Sequence, residues 1–144
     1  MMKKILAIDF DGVLCDSIFP EADHQNLVNK FFLWYAKRKQ RQGWLVILWT
    51  CRQDDGLEKF AFSQQKAVQF LKSLGFIPDF VNENDPERIK FYGTDSRKMS
   101  ANKVIDDMNM GLLGWILRII QAQSKRKTIR RQINEISKIY QNTY

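Results

Sequence analysis

The chain has 144 residues, which is the length of one compact domain. Its composition, with 44% hydrophobic and 27% charged residues, excludes wholesale disorder, and no apolar run has the roughly 20 residues of a membrane span. The two cysteines, Cys15 and Cys51, follow no disulfide spacing, so we exclude a secreted disulfide scaffold and expect a cytoplasmic protein with reduced thiols.

The net charge of +7 is concentrated in the last quarter of the chain. Residues 1–110 contain 16 basic and 15 acidic side chains, whereas residues 111–144 contain seven basic side chains and one acidic side chain, Glu135. The basicity is therefore a property of the C-terminal segment, and it says nothing about the chemistry of the preceding residues.

Short apolar runs alternate with amphipathic segments along most of the chain. Strands and helices are predicted in the order strand, helix, strand, helix, strand, strand, over residues 4–10, 25–41, 44–49, 57–74, 79–82 and 103–106. A polar loop is expected over 83–97. Because parallel strands are joined by right-handed crossovers, this order favours an α/β fold with a small parallel sheet. Trp34, Trp44, Trp49 and the phenylalanines at helical spacing are expected in the core and not as a platform on which bases stack.

Polar side chains directly follow three of the predicted strands. Asp9 and Asp11 end the first strand, Thr50 follows the second, and Asp106 and Asp107 end the last. The carboxyl ends of parallel strands share one edge of the sheet, where ligands bind. Four carboxylates at one edge would repel one another, so we expect a bound cation, and oxygen ligands favour Mg²⁺ over zinc.

The run Asp-Phe-Asp-Gly-Val that begins at Asp9 resembles motif I of the haloacid dehalogenase-like (HAD) phosphohydrolase superfamily. Thr50, a lysine before the last strand, and the acids Asp106 and Asp107 resemble motifs II, III and IV in the same order. The resemblance covers residues 4–109. It implies a Rossmann-like three-layer core and a Mg²⁺-dependent phosphomonoester hydrolase.

The resemblance also implies a role for each matched residue. Asp9 would be the nucleophile that forms an aspartyl-phosphate, and Asp11 would be the general acid and base and would lend a backbone carbonyl to the metal. Thr50 would donate a hydrogen bond to a phosphoryl oxygen. Mg²⁺ and a lysine would mask the repulsion between the nucleophile and the phosphate. Asp106 or Asp107 would complete the metal ligands, with Asp107 preferred.

Three lysines are candidates for motif III. Lys103 begins the last strand and would lie at the wrong edge of the sheet, whereas Lys90 falls earlier in the polar stretch. Lys98 is preferred, because the spacing from Ser96 to Ala101 resembles that of small bacterial HAD hydrolases. Contacts with the substrate or its phosphate are predicted for three further residues: Gly12, Arg52 and Arg97.

Each motif taken alone has a simpler interpretation. An Asp-Gly pair is commonly a turn, and Asp106 and Asp107 alone could be a solvated strand exit or a helix cap. A calcium loop is excluded because its glycine and its final glutamate are missing. His24 is expected at the surface or as a cap, and Cys15 and Cys51 are expected as small buried thiols. The joint occurrence of acids at separate strand ends is what favours a functional site.

Residues 13–43 and 51–97 leave no room for an inserted cap domain, so the resemblance is to the capless type of the family. An open site suits a bulky phosphorylated end, such as a nucleic acid or a protein, or a lid from another subunit. We expect a catalytic core over 1–114 and a basic extension over 115–144. The stripe from Ile129 to Tyr140 predicts an amphipathic helix in that extension.

Three interpretations of the extension are considered. We favour a helix that packs on the domain or on another subunit over a helix that binds nucleic acid, and we favour a membrane contact least. The alternative function for the whole chain is accordingly a catalytically idle HAD-fold module that binds nucleic acid or a protein partner. The acids favour the enzyme, because a binding module has no use for a self-repelling set of carboxylates.

Overall fold

The computed structural model describes residues 2–17, 19–55, 61–108 and 129–130. Within these residues the elements are β1 (Ile5–Ile8), α1 (Leu27–Arg41), β2 (Leu45–Leu48), α2 (Ser63–Ser73), β3 (Phe80–Val81), α3 (Pro86–Tyr92) and β4 (Lys103–Ile105). All neighbouring strands pair in parallel, in the order β3-β2-β1-β4. The predicted α/β fold with a small parallel sheet is confirmed.

The predicted basic extension, 115–144, lies outside the described residues except for two positions. Ile129 and Arg130 have helical backbone and are exposed. The division into a core and an extension, and the third layer of the sandwich, therefore stay predictions. In the described part of the chain, no helix combines the length and the hydrophobicity needed to span a bilayer.

Two helices cover the same face of the sheet. Paired residues of parallel strands point to one side, so the register assigns each strand residue to a face. The core joins residues of one face to residues of both helices: Leu6, Ile8, Val46, Leu48 and Ile105 from the strands, Phe32, Leu33 and Ala36 from α1, and Ala67 and Leu71 from α2. All four residues of β1 are fully buried, which explains why this strand is a continuous apolar run.

The N-terminus of α1 is tied to the loop that follows β1. The side chain of Asn26 caps the helix by accepting hydrogen bonds from the N–H groups of Val28 and Asn29, at 2.9 and 3.0 Å. Asn29 is fully buried, and its amide donates to the carbonyl oxygens of Val13 at 2.8 Å and Gly12 at 3.4 Å. A helix packed in the core thus fixes the loop that carries Gly12.

Helix α3 occupies part of the stretch that we expected to be a polar loop. Asp85 caps its first turn, Pro86 is its first residue, and Gly93 ends it with a φ of 71°. These are ordinary signals for the start and end of a helix. The helix has seven residues, and none of them is buried. It therefore has no apolar stripe by which the sequence could reveal it.

Helix α2 begins later than the predicted residue 57. Phe62 has a left-handed backbone with a φ of 60°, and the helix starts at the next residue, Ser63. A left-handed residue cannot continue a right-handed helix, so it sets the boundary. Residues 56–60 lie outside the described part of the chain.

The expectation that the aromatic residues of the first helix are buried was wrong for Phe31 and Trp34. Their side chains are 55% and 46% exposed on the outer surface of α1. The side of α1 that faces the sheet is occupied by Phe32, Leu33 and Ala36, with Tyr35 partly buried against the same core.

Both cysteines are free thiols. Cys15 is buried, as expected, whereas Cys51 is exposed, contrary to the expectation of a buried thiol. His24 lies at the surface, as its isolated position in the sequence predicted.

Replacing Asn29 with alanine should lower the free energy of unfolding by about 1–3 kcal/mol. The change removes three hydrogen bonds of a fully buried amide to backbone groups of Asn26, Gly12 and Val13. Urea denaturation measures the effect, with Lys30→Ala, at the exposed next position, as the control. If both variants unfold at the wild-type urea concentration, the loop does not depend on Asn29.

Candidate functional site

Three carboxylates meet at the carboxyl edge of the sheet. Asp9 follows β1, and Asp106 and Asp107 follow β4, with one oxygen of each lying within 4.8 Å of the others. The backbone N–H of Asp9 donates to the carbonyl oxygen of Ile105 at 2.9 Å, so the pairing of β1 with β4 extends to the first of these acids. The predicted convergence of acids from separate strand ends is confirmed for these three, which we call the acid cluster.

The acid cluster leaves Asp9 in an environment that disfavours its charge. The pKa of Asp9 is raised from 3.8 to about 7, chiefly by burial and in addition by the negative charges of Asp106, Asp11 and Asp107. The N–H of Phe10 donates to its Oδ1 at 2.7 Å and opposes this rise. A cation placed among the three carboxylates would relieve both the repulsion and the burial cost of the charge, so the donor set fits a cation site.

Gly12 makes the space in which the Asp107 carboxylate lies. Its φ is +80°, and a Cβ on this residue would lie 2.7 Å from Oδ2 and 2.9 Å from Cγ of Asp107. Any other residue would strain the backbone and displace the carboxylate. Gly12 was predicted as a substrate contact. That contact stays a prediction, while the geometry gives the residue a role in positioning Asp107.

The side chain of Asp11 turns to Arg52 and not into the acid cluster. Nε and Nη2 of Arg52 donate to the two oxygens of Asp11 at 2.9 and 2.8 Å. Nη1 and Nη2 also donate to the carbonyl oxygens of Pro20 and Glu21, both at 2.8 Å. Arg52 is 1% exposed, and these bonds give it a role in fixing the orientation of Asp11, while its contact with substrate stays a prediction.

Thr50 lies at the carboxyl end of β2, in the loop that leads to Arg52. Its N–H donates to Oδ1 of Asn82 at 2.8 Å, and its Oγ1 accepts a hydrogen bond from the N–H of Arg52 at 3.2 Å. The Asn82 amide also donates to the carbonyl oxygen of Arg52 at 3.3 Å and to Oε1 of Gln64 at 3.0 Å. Sequence reasoning missed Asn82. The available signal was a polar residue at the end of the third predicted strand.

The candidate lysines lie in different places. Lys98 is exposed and lines a groove of about 480 Å³ between α3 and residues 94–101. The charges that shift the pKa of Asp9 are those of aspartates and include no lysine, so the catalytic role of Lys98 stays a prediction. Lys103 is the first residue of β4, at the edge opposite the acids, as expected. Lys90 is exposed on α3, and Arg97, a predicted substrate contact, is also exposed.

The similarity of this chain to known proteins is confined to its fold. No protein-family model matches it, and no curated protein matches it. Among solved structures, the conserved protein coded by a locus of Bacteroides thetaiotaomicron is similar with a TM-score of 0.59 and 24% sequence identity, over 85% of this chain and 93% of that one. The likeness supports the small parallel α/β fold and carries no conclusion about activity.

Replacing Asp9 with asparagine should remove a pH-dependent loss of stability. Because the pKa of Asp9 is raised from 3.8 to about 7 by folding, its contribution favours the folded state at low pH and is lost as the pH rises through about 7. The free energy of unfolding of Asp9→Asn relative to wild type should therefore increase between about pH 5 and about pH 8 without divalent metal.

Denaturant unfolding across this pH range measures the effect. Asp55→Asn, at an exposed position outside the acid cluster, is the matched control and should show a constant difference from wild type. Parallel pH profiles for Asp9→Asn and wild type would contradict the assigned burial and repulsion.

Proposed function

We propose that this chain is a Mg²⁺-dependent phosphomonoester hydrolase of the capless HAD type, acting through an aspartyl-phosphate on Asp9. The observation that carries the proposal is the half-buried Asp9 beside the carboxylates of Asp106 and Asp107, all within 4.8 Å. The resemblance of the motifs implies the type of reaction, and the convergence of their acids at one edge of the sheet supports it.

The acid cluster is a suitable ligand set for Mg²⁺. Asp9, Asp106 and Asp107 would hold the ion through carboxylate oxygens, and Asp11 would add its backbone carbonyl, as the resemblance implies. Hard oxygen donors are those that Mg²⁺ prefers, and a bound cation would offset the burial and the neighbouring negative charges that raise the pKa of Asp9. When bound, Mg²⁺ would neutralise charge on the phosphoryl oxygens.

The reaction proceeds in two steps through the side chains of Asp9 and Asp11. A carboxylate oxygen of Asp9 attacks phosphorus, the bond from phosphorus to the ester oxygen breaks, and Asp11, which must carry a proton when the substrate binds, gives that proton to the leaving oxygen. Asp11 then takes a proton from a water molecule, which attacks the phosphoryl group of the intermediate and releases Asp9 and inorganic phosphate. This cycle leaves both aspartates as they began.

The contacts of Asp11 and Thr50 suit these roles. A carboxylate offers about four acceptor positions, of which Arg52 takes two, and the Asp11 side chain is 39% exposed. Asp11 is thus held in one orientation while remaining accessible to a substrate. The Thr50 hydroxyl accepts a hydrogen bond from Arg52, which leaves its proton available for a phosphoryl oxygen.

The positive charge that offsets the charge of the substrate phosphate would come from Lys98, the preferred motif III lysine. The expected substrate is a phosphorylated small molecule or the phosphorylated end of a macromolecule, because a capless site is open. A lid from a second copy of the chain, the cytoplasmic location and the basic C-terminal partner surface stay predictions alongside this proposal.

Asp9→Asn should lower the rate of Mg²⁺-dependent hydrolysis of an aryl phosphate at least about 1,000-fold, because the amide is not a nucleophile. Release of p-nitrophenol is the measurement, and a chelator should abolish it in the wild type. Asp55→Asn, which makes the same chemical change at an exposed position, should retain the wild-type rate. Equal rates for wild type and Asp9→Asn would contradict the mechanism through an Asp9 phospho-intermediate.

Gly12→Ala and Gly93→Ala form a matched pair that tests the cation site separately from catalysis. Both glycines have a positive φ, +80° and +71°, so each substitution should cost about 1 kcal/mol of folding free energy. A Cβ at Gly12 meets the Asp107 carboxylate, whereas one at Gly93 meets nothing within 4 Å. Only Gly12→Ala should therefore weaken Mg²⁺ binding.

The rise of the melting temperature with Mg²⁺ concentration measures this binding. Gly93→Ala should show the wild-type rise from a lower starting temperature, and Gly12→Ala should show a reduced rise. An undiminished rise in Gly12→Ala would place the cation away from Asp107.

A further inference from the structure

We propose that the outer face of α1 binds single-stranded nucleic acid. This face, which we call the α1 ridge, consists of the six exposed residues of the helix: Leu27, Lys30, Phe31, Trp34, Arg38 and Arg41. The inference rests on this surface and is independent of the proposed hydrolase activity. It also differs from binding through the basic C-terminal extension.

The apolar residues of the α1 ridge are not needed to hold the helix in place. Leu27, Phe31 and Trp34 are 82%, 55% and 46% exposed, while the opposite side of α1 is packed against the sheet. A row of large apolar side chains in water is costly, and such rows commonly mark a binding surface. These exposed side chains are therefore available to contact a binding partner.

The planar groups of the α1 ridge are arranged as a stacking platform. The rings of Phe31 and Trp34 have centroids 5.8 Å apart and an interplanar angle of 31°. The guanidinium carbon of Arg38 lies 5.4 Å from the centroid of the Trp34 ring, in a cation–π contact. Nucleobases stack on exposed aromatic and guanidinium planes of this kind without regard to sequence.

The positive charge of α1 favours a polyanion as the molecule that binds to this face. Lys30, Arg38 and Arg41 lie on the ridge itself, and the helix contains Lys37 and Lys39 but no acidic residue. A second copy docked ridge to ridge would bring three cations against three cations, which is repulsive. A lipid surface would call for more aliphatic residues than Leu27 alone. The aromatic rings of the α1 ridge can stack on nucleobases, and the basic side chains between them can pair with the phosphates that join those bases.

The α1 ridge begins next to the acid cluster. Its first turn is held to the loop after β1 by the Asn29 amide, which donates to the carbonyl oxygens of Gly12 and Val13. The 15 residues of the helix extend about 22 Å from that point. A single strand of nucleic acid bound along the α1 ridge would thus have one end near the edge of the sheet that carries Asp9.

The test is fluorescence anisotropy of labelled oligo(dT) and oligo(U) of about 12 nucleotides with the full chain, in the presence of a chelator. Trp34→Leu keeps an apolar side chain but removes the planar ring, and it should weaken binding about fivefold or more. Trp34→Phe should retain most of the affinity. Phe91→Leu, at an aromatic residue of α3 that is 66% exposed, is the matched control and should bind like wild type.

Arg38→Gln provides a measurement that depends on charge. Removing one phosphate contact should reduce the slope of log affinity against log salt concentration by about 0.7. The corresponding change at Lys66, exposed on α2, should leave the slope unchanged. The dT and U arms show whether the ridge distinguishes DNA from RNA, and a duplex of equal length should bind more weakly than either.

Several results would overturn the inference. One is wild-type affinity in Trp34→Leu together with loss of binding when Lys125, Arg126 and Lys127 are changed to glutamine, which would assign nucleic acid to the extension. Another is binding to phosphatidylserine vesicles without binding to either oligonucleotide. A third is a dimer of the wild type that Trp34→Leu abolishes while no oligonucleotide binds.

Discussion

Mutual repulsion among carboxylates at one sheet edge is the constraint around which the site is built. β1 pairs with β4 so that Ile8 lies opposite Ile105, and the next residues along both strands are therefore aspartates held close together. Folding thus uses the stability of a buried parallel sheet to hold like charges a few ångströms apart. The pKa of Asp9 is raised chiefly by its burial at this edge and in addition by the neighbouring carboxylates.

Buried polar contacts keep this edge in one conformation. Asn29 fixes the loop after β1 from the side of α1, and Gly12 leaves space for Asp107. Arg52 is a buried cation whose cost is offset by two hydrogen bonds to Asp11 and two to backbone carbonyls. These contacts hold the loops at this edge, which is how a sheet with strands of two to four residues can carry an ordered site.

The sequence was informative where local pattern and topology coincide. Buried parallel strands are continuous apolar runs, so β1 and β2 and the acids after β1 and β4 could be located, and the shared edge of parallel strands brought Asp9 and Asp107 together. Burial on one side of a helix could not be assigned in the same way. Phe31 and Trp34 follow helical spacing but lie outside, because other residues of α1 already face the sheet.

The remaining differences depend on contacts between distant residues. The sequence does not indicate that Arg52 pairs with Asp11, 41 positions away, and only the tertiary structure reveals this pairing. Asn82 connects Thr50 to Gln64 in the same way. Helix α3 is too short and too exposed to show a helical period, so Asp85 and Pro86 at its start and Gly93 at its end were the local signs of it.

A crystal structure of the protein grown with Mn²⁺, examined by anomalous scattering at the manganese edge, tests the central claim most directly. The account predicts one strong peak in contact with carboxylate oxygens of Asp9 and Asp107, with Asp106 beside them. Carboxylates that stay together without a peak at saturating Mn²⁺, or a peak elsewhere on the molecule, would contradict it.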